Sequence, residues 1–252
     1  MLIVLPPSET KAPGGTAAPL DLASLQWPEL NAVREDILAD LQFLAAHDLP
    51  QLMQVLKLSP AKLADAAANA ELLSAPTMPA LERYTGVLYD ALDAASLTAT
   101  ARQRLAVGSA LFGLVAATDQ IPFYRLSGGS KLPRRGADTA IPTMKARWGK
   151  AITAALEAQD ELIVDLRSGA YQQLGKLPAA VTVRVESVSP SGKRSVVSHF
   201  NKAYKGKLAR VLALSEQVPT TAAEVAEIAR ASGLEIETGE PGRETLTLVV
   251  TK

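Results

Sequence analysis

Apolar residues open the chain in an unbroken run, Met1-Leu2-Ile3-Val4-Leu5, which stops at Pro6-Pro7. A short continuous run of this kind predicts a buried strand, and the prolines predict a loop that Pro13-Gly14-Gly15 extends to about Pro28. From Glu29 to Ala46 the period changes: Leu30, Val33, Ile37, Leu41 and Leu44 recur at three and four positions, which predicts a helix. A helical pair follows. Leu49, Leu52, Met53 and Leu56 form one face of its first member, Ser59-Pro60 supplies the cap and first residue of the second, and Lys62 to Leu72 forms its body. Arg102 to Val107 fits the end of a helix and the start of a strand equally well.

Thr143 to Gln159 reads as one long helix, and Leu162-Ile163-Val164-Asp165 as a buried strand ending in a carboxylate. Val181, Val183 and Val185 alternate with polar residues, and Ser189-Pro190-Ser191-Gly192 predicts a hairpin turn into Ser195–His199. Asn201 caps a helix through Leu214, Thr221-Ala222-Ala223-Glu224 is a capping-box pattern opening a helix to Ala231, and Thr245 to Val250 closes the chain as a strand. No repeat or low-complexity linker divides the sequence. The expectation is one α+β domain over residues 1–252.

Composition narrows the chemistry. Of 252 residues, 48% are hydrophobic and 21% charged, the balance of a globular chain, and with aromatics at 4% the core must be filled by Ala, Leu and Val. There is no cysteine, which excludes disulfides, zinc fingers, iron–sulfur clusters and thiol nucleophiles. The two histidines, His47 and His199, form no Glu-x-x-His pair, so neither a resident metal nor another cofactor is expected. The most apolar stretch, Ala110 to Ala117, falls far short of the ~20 residues a membrane span needs, and the opening run lacks the basic flank of a leader. A cytoplasmic protein, monomeric and without a membrane partner, is expected.

Lys+Arg and Asp+Glu are both 26, yet the charges are not spread evenly. Arg125, Lys131, Arg134, Arg135, Lys145, Arg147 and Lys150 stand against Asp138 alone between Gln120 and Lys150. Lys193, Arg194, Lys202, Lys205, Lys207 and Arg210 meet no acid between Lys193 and Arg210. Each segment carries +6, leaving −12 for the remainder. If the two converge they form a basic cleft suited to phosphates; the alternative is a pair of solvated faces. Lys202, Lys205, Gly206 and Ala209 share a helix face behind Asn201, with small residues that admit a phosphate to the backbone, and Phe200 and Tyr204 interleave the cations. Gly128-Gly129-Ser130-Lys131, after Tyr124-Arg125, has the character of an anion nest without P-loop spacing. The candidate phosphate contacts are therefore Arg125, Gly128, Gly129, Lys131, Arg134, Arg135, Asn201, Lys202, Lys205, Lys207 and Arg210.

The stations Met1–Lys11, Leu111-Phe112-Gly113-Leu114, Pro122-Phe123-Tyr124-Arg125-Leu126, Trp148-Gly149, Val164–Tyr171 and Ser198-His199-Phe200-Asn201-Lys202 occur in an order that resembles the YaaA family of bacterial peroxide-stress proteins. The resemblance implies a mixed α/β fold with a positively charged cleft, a helix-hairpin-helix element that binds DNA, and a role in limiting iron-driven damage. The element would span Asp48–Leu56, the turn Lys57-Leu58-Ser59 and Pro60–Leu72, with Lys57, Ser59 and Lys62 as its contacts. Its hairpin carries no glycine, and Asp48, Asp65 and Glu71 oppose its lysines, so the two basic segments are the expected DNA surface. Binding through phosphates, structure-selective or non-specific, is the first reading. The alternative is an enzyme acting on a nucleotide or nucleobase in the same cleft, with Ser8, Tyr124, Asp165 and His199 as candidates for acid–base work. No motif of a known catalytic class supports a particular reaction.

Overall fold

The opening run forms β1 (Leu2–Leu5), with all four residues buried. The computed structural model describes residues 1–136, 140–189, 193–196, 201–239 and 244–251, leaving the side chains of 196 and 251 undescribed. After β1 come β2 (Ala17–Pro19), α1 (Asn31–His47), α2 (Leu49–Leu56), α3 (Leu63–Ala67), β3 (Pro76–Pro79), α4 (Ala80–Arg83), α5 (Val87–Leu92), α6 (Ala99–Gln103), β4 (Leu105–Ser109), β5 (Gly113–Ala116) and β6 (Gln120–Ile121). The second half adds α7 (Met144–Trp148), α8 (Ala151–Glu157), β7 (Ile163–Asp165), α9 (Gly169–Gln172), β8 (Val181–Val188), β9 (Arg194–Val196), α10 (Asn201–Leu214), α11 (Ala222–Ala231), β10 (Ile236–Thr238) and β11 (Thr245–Thr251).

Among the described residues the main sheet runs β10-β11-β8-β7-β1-β4-β5, with β9 on β8. The strands from β11 to β4 are parallel to their neighbours in that order, whereas β10, β5 and β9 are antiparallel additions. A second small sheet joins β2, β3 and β6. The protein is thus mixed α/β with a mostly parallel central sheet, consistent with the single mixed domain expected. Parallel strands covered on both faces need unbroken apolar runs, which is why Leu-Ile-Val-Leu sits between β4 and β7. The chain leaves β1 toward β4 but leaves β7 toward β8, in opposite directions along the sheet. The carboxyl ends of β1 and β7 therefore flank a topological switch point, where open α/β sheets form their ligand crevices.

Several local expectations change. The helix expected over Thr143 to Gln159 breaks at Gly149, whose φ of 55° ends α7 before α8 begins. Apolar spacing continues across the break because both pieces turn Met144, Trp148, Ile152 and Leu156 to the core. The ambiguous stretch 102–107 is both things: α6 ends at Gln103 and β4 starts at Leu105. Thr221 accepts the Glu224 N–H at 3.2 Å, but the Glu224 carboxylate reaches back to the N–H of Thr220, one residue before the N-cap that a standard box uses.

The second arm of the expected helical pair is not one helix. Pro60–Lys62 forms a 3₁₀ turn, α3 is five residues long, and a second 3₁₀ turn spans Ala68–Glu71. Ser59 makes no side-chain cap bond, whereas Asp48 caps α2 by accepting the Gln51 N–H at 2.9 Å. Lys57 ends α2 in the left-handed region, φ 54°, the conformation a glycine normally supplies there. Gly206 also departs from its expected role. It is buried, and a Cβ there would lie 2.2 Å from the Leu88 carbonyl oxygen. Its missing side chain lets α10 press on α5, not a phosphate on α10.

Candidate functional site

The loop after β1 turns back so that Lys11 bridges Tyr84, and the Thr10 carbonyl accepts the Thr85 N–H at 3.2 Å. Tyr89 on α5 donates to the Pro6 carbonyl at 2.8 Å. Arg83 is fully buried and spends its guanidinium on the carbonyls of Ala12, Gly14 and Ile121. The loop is therefore fixed along its length by backbone and side-chain donors. What it positions is the Lys11 amine.

Lys11 Nζ donates to the Ser8 carbonyl at 2.9 Å and lies 4.4 Å from the ring centre of Tyr124 and 5.2 Å from that of Tyr84. Among the described residues it has no carboxylate ion pair. Burial, reinforced by the Arg125 charge, lowers its pKa from 10.5 to about 7; Glu9 opposes the shift, Arg83 adds to it, and Asp65 opposes it. The ring faces work the other way, since their quadrupoles attract an ammonium. Behind them runs a hydroxyl chain: Ser109 Oγ to Tyr124 Oη at 2.8 Å, and Tyr124 Oη to Tyr84 Oη at 2.7 Å. Ser109 Oγ already accepts the N–H groups of Leu111 and Phe112, so its own proton goes to Tyr124, and Tyr124 donates to Tyr84. Burial raises the pKa of both phenols, which stay neutral.

Two openings meet at Lys11. One is a cavity of about 590 Å³ lined by Glu9, Thr10, Lys62, Phe123 and Arg125 among others; the second is a narrow crevice between Ser8, Leu56, Ser127 and Tyr171. Arg125 donates to the Glu9 carbonyl and carboxylate, and its backbone is clamped by buried Asn69, which accepts the Arg125 N–H at 2.9 Å and donates to its carbonyl at 3.1 Å. Because Asn69 belongs to the broken second arm, the corner from Leu56 to Lys62 becomes one wall of this site. The Lys62 ammonium pairs with Asp65 at 3.2 Å.

The catalytic candidates separate. Ser8 and Tyr124 both touch Lys11. Asp165 does not join them: its carboxylate is buried and receives Arg167 Nε at 2.9 Å, a second guanidinium nitrogen at 2.8 Å and the Arg167 N–H at 3.0 Å. Gly108 leaves room for that arginine, whose Cδ would be 2.6 Å from a Cβ there. His199, with the hairpin turn 190–192, lies outside the described residues. A carboxylate committed twice to one guanidinium is a structural ion pair rather than a base. Sequence reasoning passed over Tyr84, Ser109 and Asn69, which act from three distant segments; the only signal was Tyr84 preceding the Thr85-Gly86 turn.

The basic segments divide by residue type. Arg134 pairs with Asp36 at 2.9 Å, Arg135 with Asp40 at 3.2 Å, and buried Arg147 with both of these aspartates. Arg194 pairs with Glu237 at 2.7 Å and Arg210 with Asp93 at 3.5 Å. By contrast Lys131, Lys145, Lys150, Lys193, Lys202 and Lys207 are exposed, and among the described residues none has a carboxylate partner. Lys205 differs: it donates to the Leu166 carbonyl at 3.1 Å, and burial lowers its pKa against the opposing pull of Asp165. The Gly128 N–H is taken by the Tyr171 hydroxyl at 3.1 Å, so the expected anion nest is partly filled, while Gly129 is open. Both segments thus touch one stretch, residues 166–171, made of the loop after β7 and the start of α9. A cavity of about 800 Å³ opens between Ser168, Arg184, Arg194, Asn201 and Lys205, and among the described residues the buried Asn201 Oδ1 has no hydrogen-bond partner.

Among the described residues no cluster of His, Asp and Glu is arranged to hold a metal, and no helix is long and apolar enough to cross a membrane. The fold and its crevice make this an α/β protein with a candidate site at the switch point of a parallel sheet. It belongs to the peroxide stress protein YaaA family, whose model matches residues 1–238. A UPF0246 protein of Corynebacterium efficiens is 64% identical over 251 residues, covering 99% of this chain and 100% of that one. A UPF0246 protein of Streptomyces coelicolor is 44% identical, with 96% and 94% covered, and an uncharacterized protein of Campylobacter jejuni is 30% identical, with 86% of each covered.

Proposed function

We propose that the protein binds DNA through its phosphates around the loop after β7 and, in the peroxide-stress response of its family, helps limit iron-driven damage to that DNA. The observation that carries this reading is the meeting of the two basic segments on the loop after β7 and the α9 that follows it, through Gly128 to Tyr171 and Lys205 to Leu166. The arginines are committed to internal carboxylates, so the exposed lysines are the cations free to exchange counterions for phosphates. The Leu56–Lys62 corner adds the exposed Lys57.

The test is titration of labelled duplex at two salt concentrations with Lys202→Ala/Lys207→Ala and with Lys57→Ala/Lys62→Ala. Every phosphate that a variant no longer neutralises lowers the magnitude of the salt slope by about 0.9. The first pair is expected to weaken binding more, because Asp65 already neutralises Lys62. Absence of binding to duplex, junction and single strand, or an affinity indifferent to salt, would sink the reading. A second reading, an enzyme acting on a nucleotide or nucleobase, is favoured by one observation: Ser8 and Tyr124 converge on a lysine held half out of water at the switch point.

A further inference from the structure

We infer that Lys11 is the amine of a covalent site, forming an imine with the aldehyde of an open-chain aldose phosphate seated in the cavity beside Phe123 and Arg125. The inference rests on the second reading, that this crevice is a reaction site, and does not require the first.

The geometry carries it in three parts. First, the amine is reachable yet poorly supported as an ammonium. It lines both openings, but among the described residues one carbonyl accepts its proton where an ammonium has three to give, and it forms no carboxylate ion pair. Second, the groups that set its charge cannot relax away. Arg83 is tied to three carbonyls, and Arg125 is tied to Glu9 and clamped by Asn69. The charges of Glu9 and Asp65, in the same lining, oppose the shift without outweighing burial, so near neutral pH much of the amine is unprotonated. Third, Tyr84 and Tyr124 present two rings to the nitrogen, surfaces suited to a planar iminium cation.

In the step itself, the lone pair of Nζ attacks the aldehyde carbon and the carbonyl π pair moves to oxygen, which takes up a proton. The resulting carbinolamine loses water, so aldehyde plus amine give imine plus one water. No oxidant or reductant is needed. A cavity of about 590 Å³ lies in the range of small-molecule sites. Its apolar side (Pro13, Ala64, Ala68, Phe123) suits a sugar carbon skeleton, and a phosphate would meet Lys62 and Arg125 in competition with Asp65 and Glu9, the carboxylates of the same lining that pair with them. Such an aldehyde occurs on a free sugar phosphate and also on the deoxyribose left in DNA where a base is missing.

The test treats the full chain with cyanoborohydride and one of three probes: 2-deoxyribose 5-phosphate, a duplex with one abasic position, or the intact duplex. Peptide mass spectrometry then locates the reduced adduct. At pH 7 an amine of pKa about 7 is half unprotonated against roughly 1 part in 3,000 for an ordinary amine of 10.5, so Lys11 should be labelled at least about 100-fold more than the average surface lysine. Labelling should rise with a midpoint near pH 7 and vanish in Lys11→Arg and Lys11→Met, with melting curves confirming that at least one of them folds. An adduct with the free sugar phosphate alone assigns a metabolite, and one with the abasic duplex alone assigns DNA. Labelling no higher at Lys11 than at surface lysines with either aldehyde overturns the inference. Binding of intact duplex in the same samples reports separately on the first reading.

Discussion

Gly206→Ala sets two known effects against each other. Alanine in a helix interior gains about 1 kcal/mol over glycine. At this position, however, the added Cβ would stand 2.2 Å from the Leu88 carbonyl oxygen, 3.1 Å from its carbon and 2.9 Å from Ala91 Cβ. The obstacle is backbone, which no rotamer change can move, so α10 and α5 must part by roughly 1 Å to restore ordinary van der Waals spacing. That separation loosens Leu88, Leu92, Leu208 and Leu212, all buried. Overpacking of this kind costs about 3 kcal/mol at the upper end of its usual range. The balance is a destabilisation of about 2 kcal/mol, or roughly 4–8 °C in Tm for a chain of this size. Thermal unfolding followed by circular dichroism measures it, with Gly169→Ala, where a Cβ meets nothing within 4 Å, as the control expected to stay near wild type. If Gly206→Ala melts at or above the wild-type temperature, helix propensity has won and the close approach of α5 and α10 is wrong.

Lys57→Gly should stabilise the protein by up to about 1 kcal/mol, because a left-handed residue with a Cβ is strained where glycine is not; urea unfolding checks it, and a lower midpoint would refute it. Stability should also depend on pH through Lys11. Its folded pKa is held down at about 7 against an ordinary 10.5, so between those values the unfolded chain binds more protons and stability rises with pH, by up to about 1.4 kcal/mol per unit. Below pH 7 both states are protonated and this contribution is flat. The difference in unfolding free energy between wild type and Lys11→Met, measured from pH 6 to 9, should therefore be level and then climb; a level difference throughout would refute the shift.

Local pattern carried the elements whose neighbours follow from their own residues. The run Leu2–Leu5 could only be a strand covered on both faces, and Asn201 to Leu214 is a helix within the expected bounds. What local pattern could not carry was partnership. Counting charge by segment gave +6 for residues 120–150 but could not see that Asp36 and Asp40, far back on α1, face Arg134, Arg135 and Arg147. The same blindness left Gly206 beside lysines when its real neighbour is Leu88. At the site, Ser8, Tyr124 and Arg125 were legible as loop residues at strand ends. Tyr84 and Asn69 were not, because each acts only after the chain between β1 and β4 has folded back on the opening loop.

The register of β1 also sets an order of assembly. Its two partners are residues 105–107 on one side and 163–165 on the other, and among the described residues no nearer strand pairs with it. At 5–20 residues per second, a ribosome needs roughly ten to thirty seconds to deliver the second partner after the first strand has emerged. Until residues 105–107 emerge Leu-Ile-Val-Leu is an unpaired apolar segment, and until β7 follows one of its edges stays open, the kind of edge that nascent chains join to one another or hand to chaperones. The last strand to close on β1 leads into α9, whose Tyr171 walls the narrow crevice at Lys11, so that crevice exists only in chains that have completed this long-range pairing. The larger cavity, by contrast, draws all its lining from residues 9–125, upstream of that strand.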